Sequence, residues 1–185
     1  MRAQAASTLA CDFLTVDSML LQRIYVLFFI SLATRRIEYV ACSSNPDGRW
    51  VTQQARNLAM EFADEQPFRF LIHDRDTKFS RAFDEVFRAE GIKVIRTPVQ
   101  APNANAFAER WVRTLRAECL DRIILGRRHL EHVLRVYRRH YNEHRPHRAL
   151  QLLPPNGPNP TPLTAPADLR RRDLLGGLIH EYEAA

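Results

Sequence analysis

The sequence has little cysteine and no long apolar run, and these two shortages exclude several classes of protein. Its 185 residues include three cysteines, Cys11, Cys42 and Cys119, and three well-separated cysteines form neither a disulfide framework nor a zinc-binding motif. We expect them to be buried as small apolar residues in a reducing compartment. The rather apolar segment 20–33 is interrupted by polar residues, so its unbroken part is much shorter than the ~20 residues of a membrane span.

The sequence also lacks the apolar stretch of a signal peptide near its N-terminus, and it contains no internal repeat. Apolar residues make up 45% of the chain, which is typical of a globular protein rather than a disordered one. The length allows one ordinary domain with a real core and a tail. We therefore expect a cytoplasmic protein that does not contact a membrane.

The positive charge of the chain is concentrated in one segment. Lysine and arginine number 27 against 21 acidic residues, a net charge of +6. Residues 105–148 contain 11 arginines and 5 acidic residues, which is also +6, so the remainder has 16 basic and 16 acidic residues. This concentration indicates a face that binds a polyanion. Scattered charge on a solvated helix surface is an alternative that charge alone favours about equally.

Hydrophobic periodicity predicts the element order β-β-β-α-β-α-β-α-α. The predicted strands are 8–16, 24–30, 37–42, 68–72 and 93–95. The predicted helices are 50–62, 80–90, one that Asn103 or Asn105 caps, and 128–142. An antiparallel meander followed by alternating strands and helices predicts an α/β fold with a mixed sheet.

The C-terminal part of the sequence differs from the rest in composition. Six of the 11 prolines lie between Pro154 and Pro166, a density that indicates a linker or an extended tail. We expect a folded core over residues 1–153 and a proline-rich linker and tail over 154–185. A short helix is expected over residues 169–182.

Three carboxylates fall on separate predicted elements. Asp12 lies in the middle of the first strand, Asp74 where the fourth strand should end, and Glu109 in the first turns of a helix. A carboxylate in an apolar strand is costly unless a metal or a cation compensates it. Carboxylates are suitable ligands for two divalent ions ~3.5–4 Å apart, which neutralise charge in phosphodiester chemistry. The three residues are therefore candidates for a metal site.

Other interpretations of these acidic residues remain open. Asp74 could cap the following turn, and Asp76 competes with it for the metal role. Glu109 alone could be an ordinary helix-surface acid near a positive N-terminus. His73 could be a ligand or a base, although a satisfied histidine at a strand end is favoured. The two tryptophans, Trp50 and Trp111, are expected in the core rather than as platforms for base stacking.

Several short motifs follow one another over residues 9–155. They are Asp12-Phe13-Leu14-Thr15, Thr34-Arg35-Arg36, the segment 70–79, Thr97-Pro98, the segment 105–111, Thr114-Leu115-Arg116-Ala117-Glu118 and the segment 141–147. Each is weak alone, but their combined order is highly specific. By these motifs the sequence resembles the catalytic core of the DDE recombinases, which include retroviral integrases and, more closely, integrase-core transposases of bacterial insertion sequences.

The resemblance implies a ribonuclease H-like fold, in which helices flank a mixed five-stranded sheet. It implies that Asp12, Asp74 and Glu109 bind two Mg²⁺ or Mn²⁺ ions; 34 residues separate Asp74 from Glu109 (109 − 74 − 1), close to the usual gap. The implied substrate is double-stranded DNA, both element ends and target. Water nicks the element end, and the freed 3′-hydroxyl then attacks the target without a covalent protein intermediate.

The resemblance also implies DNA contacts by Asn105, Arg110, Arg113 and Arg116, with Asn105 helping to orient the helix. It implies a homo-oligomer in a bacterial cytoplasm, associated with the nucleoid. Relatives have glycine where Asp76 stands, and they carry an N-terminal helix-turn-helix region. Because this sequence shows no such region, we expect a separate DNA-binding protein or domain, or a longer transposase. A non-catalytic DNA-binding remnant and a ribonuclease H-like nuclease are the alternative functions.

Overall fold

A computed structural model describes residues 7–62, 67–97, 106–157 and 169–184. Five strands form one mixed sheet in the order β3-β2-β1-β4-β5. They are β1 (Thr8–Asp17), β2 (Arg23–Ser31), β3 (Ile37–Ser43), β4 (Phe70–His73) and β5 (Lys93–Arg96). The first three form the predicted antiparallel meander, and β4 lies parallel to both β1 and β5.

Four α-helices alternate with or follow these strands. They are α1 (Gly48–Glu61), α2 (Arg81–Ala89), α3 (Ala106–Leu115) and α4 (Arg127–Glu143). The side chains of Asp47 and Ser80 cap α1 and α2 by accepting hydrogen bonds from the third amide of each helix. A π-helix, Arg116–Leu120, continues α3. The predicted order of these elements is confirmed, whereas the predicted cap of α3, Asn103 or Asn105, lies outside the described residues.

Helices cover both faces of the sheet because alternate residues of its central strands are apolar on both sides. On one face, Leu9 and Cys11 of β1 pack with Leu27 and Phe29 of β2 against α1 and α2. The other face packs against α3 and α4. Its strand residues are Ala10, Leu14, Val16, Val26, Phe28 and Ile30. By this alternation Asp12 lies on the α3 face of the sheet.

The burial of the three cysteines agrees with the prediction from the composition. Cys11, Cys42 and Cys119 are all free and buried. Within the four described ranges, no helix is long and apolar enough to cross a membrane.

The C-terminal segment forms a β-hairpin, and the prediction of a helix over residues 169–182 is wrong. Its strands are β6 (Leu169–Leu174) and β7 (Ile179–Ala184). Gly176 and Gly177 have φ values of 68° and 88°, which suit a tight turn and end any helix. Burying alternate residues Ile179 and Glu181 of β7 requires period-two geometry rather than helical geometry. The hairpin packs Ile179 into the layer that α4 forms on the sheet.

Glu181 fixes the hairpin to α4 by histidine contacts. Its Oε1 lies 3.0 Å from His140 Nδ1, and its Oε2 lies 3.8 Å from His144 Nε2. Burial lowers the pKa of His140 below its ordinary value of 6.5, and the bond to Glu181 opposes this shift only in part. The charged form of His140 is therefore less favourable in the folded protein than in the unfolded chain.

We expect the free energy of unfolding to fall as the pH is lowered through about 6.5, because the unfolded chain takes up a proton at His140 before the folded protein does. The contribution of neutral His140 to the free energy of unfolding is fully present above pH 6.5. Urea titrations at several pH values measure the slope, which should flatten in His140→Gln. In that variant His147, whose pKa burial also lowers, still contributes to the slope. His132→Gln, at an exposed site on the same helix, is the control; an equal flattening there would contradict the assignment.

Candidate active site

Asp12 lies in the middle of β1, and Asp74 directly follows the end of β4, the strand that pairs parallel to β1. The register pairs Ala10 of β1 with Ile72 of β4, and Asp12 and Asp74 each follow by two residues. Paired residues of parallel strands point to the same face, and residues two apart keep that face. Asp12 and Ile72 therefore share the α3 face, and Asp74 follows Ile72 by two residues, just beyond the end of β4. The edge beyond the carboxyl ends of parallel strands is a common place for ligands in α/β proteins.

The loop after β4 distinguishes Asp74 from Asp76. Asp74 Oδ1 accepts a hydrogen bond of 3.0 Å from the Asp76 amide. Asp76 Oδ1 accepts from the Lys78 amide at 2.9 Å, and its Oδ2 forms an ion pair of 2.8 Å with Lys78 Nζ. The loop thus neutralises Asp76 internally, whereas Asp74 has no cationic partner among the residues described. Asp74 is the better candidate for binding a metal.

The acidic residues create a concentrated negative charge beside β1. Asp12 is half-buried, and its Oδ1 accepts a hydrogen bond of 2.7 Å from the Phe13 amide. Burial raises the pKa of the Cys11 thiol, and the negative charges of Asp12, Asp74 and Asp84 raise it further. Carboxylates that share a site repel one another, and a divalent cation relieves that repulsion.

Glu109 lies on the exposed side of α3, the helix that packs against β1. The neighbouring residues Ala108, Trp111 and Leu115 are buried against the sheet, so they fix the helix on the face of Asp12. The Glu109 side chain makes no hydrogen bond or ion pair with any described residue. Its acidic side chain in the first turn of the helix is favoured by the positive end of the helix dipole.

The three carboxylates only partly satisfy the requirements of a metal site. Their oxygen atoms are the hard ligands that Mg²⁺ and Mn²⁺ prefer. Asp12 and Asp74 each follow a paired residue of β1 and β4 by two positions, and the helix of Glu109 covers the face of Asp12. Over residues 7–62, 67–97, 106–157 and 169–184, however, no group of three histidine, cysteine or acidic side chains could hold a metal ion as it stands. The donor chemistry therefore fits, and Asp12, Asp74 and Glu109 remain candidates for the ligands.

The predicted DNA-binding arginines differ in their surroundings. Arg110 and Arg113 are exposed on α3 and form no ion pair within the described segments. Arg116 Nη2 donates a hydrogen bond of 2.9 Å to the Thr15 carbonyl at the end of β1. Arg116 therefore ties the start of the π-helix to the sheet while remaining exposed. Asn105 lies outside the described residues.

A buried polar cluster behind Asp74 was missed by the sequence analysis. Asp84 of α2 is fully buried and contacts His73, Arg88 and Arg96. The spacing of Asp84 and Arg88, i and i+4 on a helix, was the available signal for one of these pairs. His73 is 1% exposed with partners for both ring nitrogens, so the interpretation of a satisfied strand-end histidine is confirmed.

The segment 141–147 mainly joins the end of α4 to its surroundings. Asn142 bridges to the backbone of Ile37, accepting from its amide at 2.9 Å and donating to its carbonyl at 3.0 Å. Arg145 donates two hydrogen bonds to Glu118 Oε1, at 3.0 and 2.7 Å, and Tyr137 donates another to Glu118 Oε2 at 2.8 Å. These contacts hold the π-helix after α3 against α4. The motif at 141–147 was visible in the sequence, but these partners were not.

Comparison with known proteins gives one family match. Residues 90–155 match the family described as "Integrase core domain". This range includes α3, the π-helix, α4 and the segment 141–147. No curated protein matches the chain.

Solved structures share the fold at low sequence identity. The catalytic domain of Mos1 mariner transposase is 11% identical, with a TM-score of 0.56, and the alignment covers 72% of this chain and 70% of that one. The catalytic core domain of BIV integrase is 12% identical, with a TM-score of 0.59 and coverages of 82% and 91%. A chain of the simian T-cell lymphotropic virus intasome is 10% identical, with a TM-score of 0.60 and coverages of 97% and 67%.

These likenesses confirm the predicted ribonuclease H-like fold with its mixed five-stranded sheet. Together with the family match over residues 90–155, they support the resemblance to integrase catalytic cores. Two further structures of the Mos1 catalytic domain are of that domain and raltegravir, one with Mg and one with Mn.

Proposed function

We propose that the chain carries the integrase catalytic core of the DDE recombinases and that it transfers DNA strands in a reaction that requires divalent metal. The observation that carries the proposal is the register of β1 with β4, which pairs Ala10 with Ile72, so that Asp12 and Asp74 each follow a paired residue by two positions. In this proposal the two residues supply oxygen ligands beside a helix that bears Glu109 and exposed arginines.

In the proposed mechanism, Asp12, Asp74 and Glu109 would hold two Mg²⁺ or Mn²⁺ ions. Such ions stabilise the charge of a phosphoryl group during in-line displacement and activate the attacking oxygen. Asp74 would bind through a carboxylate that the Asp76 amide orients at Oδ1. Glu109 would complete the site from the first turn of α3, where no other described residue competes for its carboxylate oxygens.

The DNA strand would lie along α3. Arg113 follows Glu109 by four residues, so the two share one side of the helix. Arg110 and Arg113 have no acidic partner within the described segments and can therefore pair with phosphates. The Thr15 carbonyl limits the directions that the Arg116 guanidinium can take. We propose that these contacts align the phosphodiester with the carboxylates.

Two displacements at phosphorus make up the proposed reaction. In the first, water attacks the phosphodiester at the element end, and the strand leaves with a free 3′-hydroxyl. In the second, that hydroxyl attacks a target phosphodiester, forms the new phosphorus–oxygen bond and releases the 3′-oxygen of the target strand. The second step forms one phosphodiester bond for each one that it breaks, so no additional energy source is needed.

A labelled oligonucleotide assay tests the proposal. With Mn²⁺ and a matched element end, the expected products are a nicked strand and a longer strand joined to target DNA. Nicked strands without joined products would favour a ribonuclease H-like nuclease. DNA binding without either product, under conditions that support binding of Mn²⁺, would favour a non-catalytic remnant and contradict the proposal.

We further propose double-stranded DNA as the substrate, a homo-oligomer as the working assembly and a separate protein or domain for recognition of element ends. A nucleoid association in a bacterial cytoplasm would follow from DNA binding. The boundary between a core over 1–153 and a linker and tail over 154–185 is also a proposal. The docking of Ile179 on the core indicates that the last part of the tail shares the packing of the core.

We expect Arg113→Gln to weaken DNA binding and to reduce the slope of log K against log salt by about 1, because one phosphate contact is lost. Fluorescence anisotropy with duplex DNA at several salt concentrations measures the slope. Arg56→Gln, at an exposed position of α1 on the opposite face of the sheet, removes the same charge and is the control. Equal slopes in the two variants would show that α3 is not the DNA-binding element.

A further inference from the structure

We propose that His73 is a positioning residue for Asp74 and that Asp84 holds its ring in place. The three-residue chain Asp84–His73–Asp74 is called the brace below. The inference rests on the proposed role of Asp74 in metal binding, and it assigns a function to buried residues that touch neither DNA nor metal.

The first half of the brace is an anchored carboxylate. Asp84 is 0% exposed, and a buried carboxylate is stable only when it is paired and hydrogen-bonded. Its Oδ1 lies 3.0 Å from His73 Nε2, and its Oδ2 lies 2.8 Å from Arg96 Nη2 and 3.3 Å from Arg88 Nη2. Asp84 therefore connects α2 with β4 and β5 and cannot move without breaking contacts to all of them.

The second half of the brace reaches the proposed metal ligand. His73 Nδ1 lies 2.5 Å from the carbonyl oxygen of Asp74. A carbonyl oxygen only accepts hydrogen bonds, so His73 Nδ1 is the donor in this contact. The His73 ring also packs at 4.6 Å from Phe79 and 5.6 Å from Phe83, measured between centroids. The two ring-nitrogen contacts and the two aromatic neighbours therefore fix the orientation of the His73 ring.

This orientation determines where the Asp74 peptide lies. Asp74 is the first residue after β4, so no strand pairing holds its carbonyl. The hydrogen bond from His73 replaces that pairing, and the Asp76 amide then fixes the Asp74 side chain at Oδ1. Misplacement of a reacting group by 1 Å can cost about 10²-fold in rate. A contact that ends on the backbone of the metal ligand is suited to prevent such misplacement.

Three variants of full-length protein separate positioning from general stability. His73→Phe keeps the aromatic packing and removes both hydrogen bonds. In His73→Asn the side-chain amide replaces Nδ1 and can still reach the Asp74 carbonyl. In His73→Gln the amide replaces Nε2 and can still reach Asp84. The brace predicts that Asn restores the function of Asp74 better than Gln, even where their melting temperatures agree.

Binding of Mn²⁺, followed by the electron paramagnetic resonance of the free ion, is the main readout. We expect His73→Phe to bind Mn²⁺ about 10- to 100-fold more weakly, as for other residues that support metal ligands. We expect His73→Asn to stay closer to wild type than His73→Gln. Affinity within twofold of wild type in His73→Phe, or equal affinities of the Asn and Gln variants, would overturn the brace.

A metal-free readout distinguishes failure of the brace from failure of the proposed function. Amide hydrogen exchange over residues 74–79 should be faster in His73→Phe than in wild type, whether or not the site binds metal. If wild type and Asp74→Asn bind Mn²⁺ equally, the proposed metal role of Asp74 fails, and exchange alone decides the positioning claim. Unchanged exchange over 74–79 overturns the brace in either case.

Discussion

Replacing Asp74 with asparagine is expected to lower the rate of strand transfer by at least about 10³-fold, while the fold stays intact. The substitution removes one charged metal ligand, and charge stabilisation by a metal at a phosphoryl oxygen is worth several kcal/mol. Asparagine has nearly the same volume, and its carbonyl oxygen can still accept the hydrogen bond that the Asp76 amide gives to Oδ1. Single-turnover kinetics with labelled DNA measure the loss, and circular dichroism checks the fold.

Asp76→Asn is the matched control because it makes the same change two residues away. Lys78 neutralises the carboxylate of Asp76. Removing that carboxylate should therefore disturb the loop and lower the rate by about tenfold or less. The reverse result, an active Asp74→Asn and an inactive Asp76→Asn, would transfer the metal role to Asp76. Activity retained in both variants would reject a carboxylate of this loop as a metal ligand.

Replacing Trp111 with alanine should cost about 3–5 kcal/mol of unfolding free energy. Trp111 is 1% exposed, and its ring lies 4.2 Å from that of Phe28 between centroids. Its Nε1 has no hydrogen-bond partner in the described part of the chain, so the cost arises from packing alone. Because Trp111 fixes α3 on the sheet two residues after Glu109, metal affinity should fall as well. Urea denaturation of the free protein measures the stability.

Trp50→Ala is the matched control for size. Trp50 is only half-buried, at an open groove between β3, α1 and α4, so its truncation leaves a smaller cavity. We expect it to cost less than half as much as Trp111→Ala, with no change in Mn²⁺ binding. Equal costs would show that the layer between α3 and the sheet is not the main core of the molecule.

The fold could be predicted wherever one strand or helix carries its own pattern. The apolar run of β2 indicated a strand covered on both faces, and both clusters of the core contain residues from it. The C-terminal hairpin was not predictable in this way, because its inward residues Ile179 and Glu181 are separated by a histidine and its partners lie on α4. Charged residues buried by a distant element give no local signal.

The candidate site shows the same limit. The placement of Asp74 at a strand end was predictable, and parallel register then places it beside Asp12. The neutralisation of Asp76 by Lys78 and the contact of Arg116 with Thr15 depend on loop and helix geometry, which periodicity does not encode. His73 and Asp84 are 11 residues apart, so only the folded arrangement of β4 and α2 reveals the brace.

Anomalous diffraction from crystals grown with Mn²⁺ tests the central claim most directly. The account predicts manganese within bonding distance of carboxylate oxygens of both Asp12 and Asp74, with Glu109 as a further ligand. Manganese bound only elsewhere, or an Asp12–Asp74 pair that stays empty at concentrations supporting DNA joining, would contradict it.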